Sequence, residues 1–402
     1  MNAYIIDAVR TPRGRGNDRG ALKGLAPAEL LAQSLRALAR RTGVDTAMVE
    51  DGIFGCVTQT AGQGSNIGKL GLIAAGWSDA VSGLTINRYC ASGLSAVSLA
   101  ALQAQASDAL AVGGGVEMMS RVPMASDLGP LTHDVAFQKE NRLVPIGIAA
   151  DVVATQRGYS RLRCDEFAAQ SQARAVAARA AGRFVSVVPV TDAAGTVLLA
   201  ADETPREGTT AEKLSAMAPA FAEWGAKGID AMLAAQYGLA GVLHVHHAGN
   251  SPAMADGASA VLVGSESAVR RAGLVPRARI LASAEAGVDR TLALTGSVDA
   301  ARRAIARAGL AVGDIDRFEV NESFAALMLH FRDEMGIGED RLNVNGGAIA
   351  LGHAMGATGA VLLGMLLDEL ELRDARYGCV AICGAAGVAS AMVIERLVGR
   401  AP

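Results

Sequence analysis

The sequence predicts an α/β protein built as two similar halves with mixed sheets, and three observations carry that reading. Apolar runs of strand length alternate with amphipathic or apolar stretches of helix length, this order occurs twice, and the stretch between the two copies loses the rhythm. The parallels are concrete. Gly43-Val44-Asp45 precedes Ile53-Phe54 much as Gly309-Leu310 precedes Phe318-Glu319-Val320, and Ile86-Asn87 leads into one helix as Val344-Asn345 leads into another. With 402 residues, 51% of them hydrophobic, the chain can bury large cores, and a net charge of -3 gives no electrostatic reason to expect nucleic acid.

Residues 3–8 read as a strand and 25–42 as an amphipathic helix with Pro27 in its first turn and Gly43 as its stop. Residues 51–57 form a second strand, followed by a glycine-rich loop over 59–71. A short strand at 85–86, a turn at 87–89 and a helix from about Cys90 come next. The strand 109–112 is expected to stop at Gly113-Gly114-Gly115, which lacks the Gly-x-Gly-x-x-Gly spacing of a dinucleotide site. The irregular region from 121 to about 247 holds a helix at 164–181 and a hairpin-like stretch at 184–199. The first half resumes at 258–263, so this region is inserted rather than appended. In the second half a helix spans 298–308, strands span 315–321 and 342–345, and a glycine-rich turn feeds a helix from Ala357. An apolar strand then ends at Cys383.

The longest uncharged runs, 91–107 and 378–394, are too short or too broken by glycine and polar residues to span a bilayer, so a soluble, cytoplasmic protein is expected with no membrane partner. Asp7 within the first apolar run, with Arg10, Arg13 and Arg15 after it, is the reverse of a secretory signal, and Arg400-Ala401-Pro402 is no peroxisomal address. These arginines read as structural or solvated loop charges. Five cysteines without a Cys-x-x-Cys pair fit a reducing compartment, with Cys56 and Cys164 as packing.

Cys90 at a helix start faces amides with no intrahelical acceptor, and these with the helix dipole favour a reactive thiolate of lowered pKa. Taken alone, the segment is as well explained by a small buried hydrophobe. His353 in a glycine-rich turn is harder to explain as packing. Four stretches then come together: Asn-Arg-Tyr-Cys-Ala-Ser-Gly-Leu around Cys90, Val-Asn-Glu-Ser-Phe-Ala at 320–325, Asn-Gly-Gly-Ala-Ile-Ala-Leu-Gly-His ending at His353, and the Cys383 strand. They resemble the four active-site loops of the thiolases in the family's order, and the likeness runs from Asp7 to Glu395.

The resemblance implies the thiolase fold, a five-layered αβαβα sandwich whose two central helices follow the repeated loops. It implies a first half at 1–120 and 249–275, a loop domain at 121–248 lying over the site and holding coenzyme A, and a second half at 276–402. Cys90 would be the acylated nucleophile, His353 would take its proton and help hold the thioester oxygen, and Cys383 would exchange a proton with the alpha carbon. Asn321 would position a water in one oxyanion hole, and the Cys90 amide would serve the other. Coenzyme A and acyl-CoA would be substrates, with no permanently bound cofactor, and the assembly a homodimer or homotetramer.

Several positions depart from the family pattern. Gly384-Ala385-Ala386-Gly387 replaces a glycine run, so any positive φ at an alanine there would be strained. Pro145, Ala218 and Pro252 stand where side chains commonly meet coenzyme A. Contacts to coenzyme A are therefore expected from Gly147, Phe221, His246, His247, Gly249, Asn250 and Ala385, with an insertion over 225–243 shaping a pocket for an acyl group larger than acetoacetyl. A metal at His244, His246 and His247 is set aside, because no cysteine or carboxylate stands nearby in sequence. Three functions follow: a degradative 3-ketoacyl-CoA thiolase, acting on fatty or sterol-derived thioesters; a biosynthetic enzyme joining two acetyl-CoA; or a non-catalytic acyl-CoA-binding protein. Retention of all four motif residues argues against the last. Cysteine rather than histidine at 383 argues against a ketoacyl synthase.

Overall fold

A computed structural model describes residues 3–397, so Arg400-Ala401-Pro402 lies outside the described residues. Among the described residues twelve strands are present: β1 (Ala3–Arg10), β2 (Gly14–Arg15), β3 (Val49–Gly55), β4 (Leu84–Ile86), β5 (Leu110–Met118), β6 (Val190–Thr191), β7 (Val197–Leu199), β8 (Ala255–Gly264), β9 (Ala278–Gly287), β10 (Arg317–Val320), β11 (Tyr377–Cys383) and β12 (Val388–Arg396). All but β6 and β7 join one sheet in the order β10-β11-β12-β9-β1-β8-β5-β3-β4, with β2 paired to β8. Each half contributes the same motif. β3 runs parallel to β5 and β5 antiparallel to β8, as β10 runs parallel to β11 and β11 antiparallel to β12. A short antiparallel contact, Ala3–Ile5 of β1 with Ala278–Ile280 of β9, joins the two halves edge to edge.

The inner strands are buried on both faces, so they read as continuous apolar runs rather than alternating ones. The pleat nevertheless divides their side chains between separate cores. Ala111, Val261 and Val263 point into a central core, and Val112, Ala260 and Leu262 into the outer core of the first half. In the second half Val380, Ile382 and Met392 point centrally, and Cys379, Cys383 and Val393 outward. The helices Ser92–Ala106 and Met355–Leu372 fill the central layer and touch strands of both halves. Helix Pro27–Thr42 covers one outer face, and Gly296–Arg307 and Ala325–Met335 the other, which gives the αβαβα order.

Two expected elements differ. β5 does not stop at the triple glycine but runs through it, because a Cβ at Gly113 would lie 2.6 Å from Val97 Cα, and one at Gly114 2.1 Å from the Ser259 carbonyl. Here glycine permits close packing, not a turn. Residues 342–345 form no strand beyond a single bridge from Leu342 to Phe318. Asn343 turns with φ +45° and its side chain replaces the ladder, accepting from Val320 N and donating to Val320 O, both at 2.8 Å.

Between β5 and β8, which are neighbours in the sheet, the chain makes the excursion that carries helices Ile146–Arg157 and Arg161–Ala180 and the β6–β7 pair. The stretch 225–243 forms a π-helical turn and helix Asp230–Tyr237, with Leu233 packed in one cluster with Ile148 and Val152. No helix among the described residues is long and apolar enough to cross a membrane.

Candidate active site

The central helices meet at glycine. A Cβ on Gly55 would lie 2.6 Å from Gly93 N, and one on Gly93 or Gly115 would strike the Gly356 carbonyl at 2.7 or 2.1 Å. Only hydrogen side chains allow this approach, and it draws together the starts of the two helices, three residues beyond Cys90 and three beyond His353. The buried Glu117 carboxylate fastens the junction, accepting from Val57 N at 2.9 Å, Thr58 N at 3.1 Å, Gln63 Nε2 at 2.8 Å and Gly356 N at 3.0 Å.

The helix after Cys90 begins at Ser92, and Cys90 sits in the preceding turn behind Tyr89, whose φ is +48°. The thiol is half-buried, and burial, then the neighbouring Cys383 and Glu117 charges, push its pKa up to about 12. This reverses the expected thiolate. A helix end contributes only about 0.3–1 kcal/mol, which is less than desolvation of a charged sulfur costs here.

His353 is buried, and its ring is fixed by an Nδ1 contact of 2.8 Å to Thr358 Oγ1. Thr358 donates its one hydroxyl proton to Ala354 O at 3.0 Å, so Nδ1 carries the imidazole proton and Nε2 the lone pair, an assignment made from the hydrogen-bond network. Burial, then the Arg13 charge, lower its pKa to about 3. The resting pair is therefore a thiol and a neutral imidazole.

Arg13 is itself buried rather than solvated. It donates to Gly352 O at 2.8 Å, one residue before His353, while Arg10 takes both oxygens of Asp202 at 2.7 and 2.8 Å.

Cys383 ends β11, and burial pushes its thiol up to about 11 against a hydrogen bond from Ser323. Ser323 Oγ lies 3.1 Å from Cys383 Sγ and 2.9 Å from Asn321 Nδ2, while Asn321 Oδ1 is buried without a partner among the described residues. The following turn packs against the Cys90 loop: a Cβ on Gly384 would lie 3.1 Å from Arg88 O and from Tyr89 Cβ. Within it Ala386 adopts φ +55°, the strained conformation expected if an alanine replaced glycine there.

Two thiols, a neutral imidazole and an asparagine thus converge from four loops. Residues 3–231 match the family model described as Thiolase, N-terminal domain, and residues 274–396 match Thiolase, C-terminal domain. The chain belongs to the thiolase family. It is 38% identical over 405 residues to a 3-ketoacyl-CoA thiolase of Citrobacter koseri, covering 98% of each chain. It is 36% identical over 408 residues to a steroid 3-ketoacyl-CoA thiolase of Mycobacterium tuberculosis, covering 98% of this chain and 94% of that one. The crystal structure of the Bacillus anthracis acetyl-CoA acetyltransferase superposes with a TM-score of 0.86 at 31% identity, over 98% of this chain and 99% of that one.

Several residues expected to hold coenzyme A in this thiolase do something else. His246 is fully buried: Nδ1 donates to Asp151 Oδ1 at 2.7 Å, and Nε2 accepts from Ala326 N at 3.3 Å, at the start of the Ala325–Met335 helix. His247 is equally buried, with Nε2 donating to Asp165 Oδ1 at 2.7 Å and Nδ1 accepting from Gly249 N at 3.0 Å. Every polar atom of the Asn250 side chain is used, with His247 N, Asp165 and the Val245 carbonyl as partners. His244 bridges Asp151 and Asp230 at 2.7 and 2.9 Å. These bonds leave no ring nitrogen of His246 or His247 free to reach coenzyme A.

Phe221 closes over Gly147, where a Cβ would lie 2.1 Å from the ring, and meets Phe324 edge-on at 6.0 Å. Ala385 stays half-buried in its turn. Gly249 does line a cavity of ≈ 270 Å³, together with Thr204, Arg206, Lys213, Ala253 and Ile349. Ala253 O accepts from His353 N at 2.8 Å, so this cavity adjoins the histidine loop. Thr358, Arg13 and Ser323 were not legible as site residues. Each nevertheless lies in a stretch that carries a signal, Ser323 inside the 320–325 motif, Thr358 just beyond His353 in the same glycine-rich stretch, and Arg13 in the arginine-bearing segment after the first strand.

Proposed function

We propose that this chain is an acyl-CoA C-acyltransferase that cleaves a 3-ketoacyl-CoA with coenzyme A through a Cys90 acyl-enzyme. The observation that carries the reading is the packing of the Cys383 turn and the His353 helix on the Cys90 segment, where a Cβ on Gly384 would lie 3.1 Å from Arg88 O and one on Gly93 would lie 2.7 Å from Gly356 O. His353 Nε2 takes the Cys90 proton as the sulfur attacks the keto carbon, which avoids forming a thiolate in the resting site. The bond between the alpha and keto carbons breaks, its electron pair goes to the alpha carbon, and the Cys383 proton follows to release acetyl-CoA. Coenzyme A gives its thiol proton to Cys383 and attacks the acyl-enzyme, and Cys90 leaves and recovers its proton from His353. The Cys90 amide and a water on Asn321 would stabilise the two oxyanions, the unpartnered Asn321 Oδ1 supplying the water's acceptor.

Coenzyme A enters by the cavity that Gly249 lines, and acts as substrate with no resident cofactor. The protein works in the cytoplasm as a homodimer or homotetramer, with no nucleic-acid or membrane partner. A substrate larger than acetoacetyl-CoA is supported by the 225–243 stretch, whose Gln236 borders a recess of ≈ 460 Å³ beside Val288, which donates to Gly387 O at 2.9 Å. Acetyl-CoA acetyltransfer is the second reading, favoured by the name of the Bacillus anthracis structure. Thiolysis rates for acetoacetyl-, medium-chain and branched 3-ketoacyl-CoA decide between them: a preference for acetoacetyl-CoA would favour the second.

A further inference from the structure

Ser323 stands between two groups of the site with almost no solvent access, 7% exposed. Asn321 Nδ2 donates to its oxygen at 2.9 Å, which leaves the single hydroxyl proton free to turn towards Cys383 Sγ at 3.1 Å. Its own amide donates to Asn321 O at 2.8 Å, which holds the short segment closed and fixes where the hydroxyl can point. A hydroxyl has both a proton and lone pairs, so it can accept from the Cys383 thiol and donate to the thiolate. The second bond is the stronger because its acceptor is ionised. Cys383 has no other side-chain hydrogen-bond partner among the described residues.

We propose that Ser323 is the hydrogen-bond donor that stabilises the Cys383 thiolate and thereby sets how readily Cys383 exchanges its proton with the alpha carbon. This rests on the reading of Cys383 as the proton-exchanging group of the acyl transfer. In the exchange the alpha C–H bond breaks as the S–H bond forms, or the reverse. A sulfur lone pair takes the proton while the C–H electron pair stays on the alpha carbon, the Ser323 proton turns towards or away from the sulfur, and nothing is oxidised or reduced. Asn321 is tied to the same hydroxyl, so the donor of the thiolate and the expected water-holder are positioned by one oxygen.

Exchange of the acetyl-CoA methyl protons in heavy water, followed against pH, isolates this step, and acylation of Cys90 by mass reports the other half-reaction. In Ser323→Ala, exchange at neutral pH should fall about tenfold and its rising limb move up by about one pH unit, the size expected for losing a bond to a charged sulfur. Cys90 acylation should be unchanged. A limb and rate equal to those of the unmodified enzyme would overturn the proposal. If the alanine variant does not fold, Ser323→Cys, which keeps the shape but offers a weak donor, is judged by the same limb. No Cys90 acylation in the unmodified enzyme would overturn the underlying functional reading and this proposal with it.

Discussion

The loops carrying Cys90, His353 and Cys383 and the histidine stretch 244–250 are both glycine-containing and both rich in reactive side chains, yet they differ in what those side chains meet. In the first set, reactive atoms are left available: His353 Nε2 keeps a lone pair, and the Cys90 thiol lies in the field of Cys383. In the second, every ring nitrogen of His246 and His247 is already taken by a carboxylate or a backbone amide. The difference teaches that burial with a spare lone pair makes a candidate for chemistry, while burial with complete partnering makes a joint. Asp151 is the centre of that joint, accepting from Val245 N, His246 N, His246 Nδ1 and His244 Nδ1.

The sharpest contrast comes from Cys383→Ala, which should abolish turnover by a factor of about 10²–10⁴ in steady-state thiolysis while the folded fraction, measured by thermal denaturation, stays near that of the unmodified protein. Asp151→Ala should do the opposite. Leaving several buried donors unpaired costs about 3–5 kcal/mol, so the denaturation midpoint should drop, while the rate per folded molecule changes little. If Asp151→Ala instead raised the KM for coenzyme A without loss of stability, the division between chemistry and joint would fail.

His244 and His247 give a finer test through pH. Burial lowers the His244 pKa, but hydrogen bonds to Asp230 and Asp151 outweigh it and raise the net value above 6.5. Its stabilisation is then complete below pH 6.5 and lost as pH rises through the folded-state value. His247 goes the other way: burial lowers its pKa below 6.5 in spite of Asp165, so it withdraws stability as pH falls below 6.5 towards the folded-state value. His244→Gln should flatten the loss of stability on the alkaline side, and His247→Gln the loss on the acidic side, in denaturant titrations across pH. Both slopes unchanged would mean that neither ring titrates with folding. The smallest effect is expected at Ala386, where a left-handed alanine costs about 1 kcal/mol relative to glycine. Ala386→Gly should therefore stabilise slightly, offset by glycine's greater chain entropy, with activity within a few-fold of the parent.

The paired halves were legible because strand and helix lengths, stop glycines and apolar runs are local properties; Gly43 ends the first helix as read, while the helix starts at Pro27 rather than at Leu25. Gly113-Gly114-Gly115 misled because glycine's local meaning is a turn, whereas here its role depends on Val97, Ser259 and Gly356, all distant in sequence. The same reason hid the histidine partners, since Asp151 and Asp165 lie about ninety residues or more from His244 and about eighty from His247. Cys90 was placed at its site by its surrounding motif, but its ionisation was not, because desolvation is set by the whole packed core rather than by the helix that follows.

The central claim is that Cys90 alone carries the acyl group while Cys383 moves protons. Incubation with a simple acyl-CoA, which transfers its acyl group without breaking a carbon-carbon bond and so needs no proton at an alpha carbon, followed by peptide mass analysis, tests it directly. The acyl mass is expected on the peptide bearing Cys90, in the parent and in Cys383→Ala alike. An acyl mass on Cys383, or on no cysteine, would contradict it.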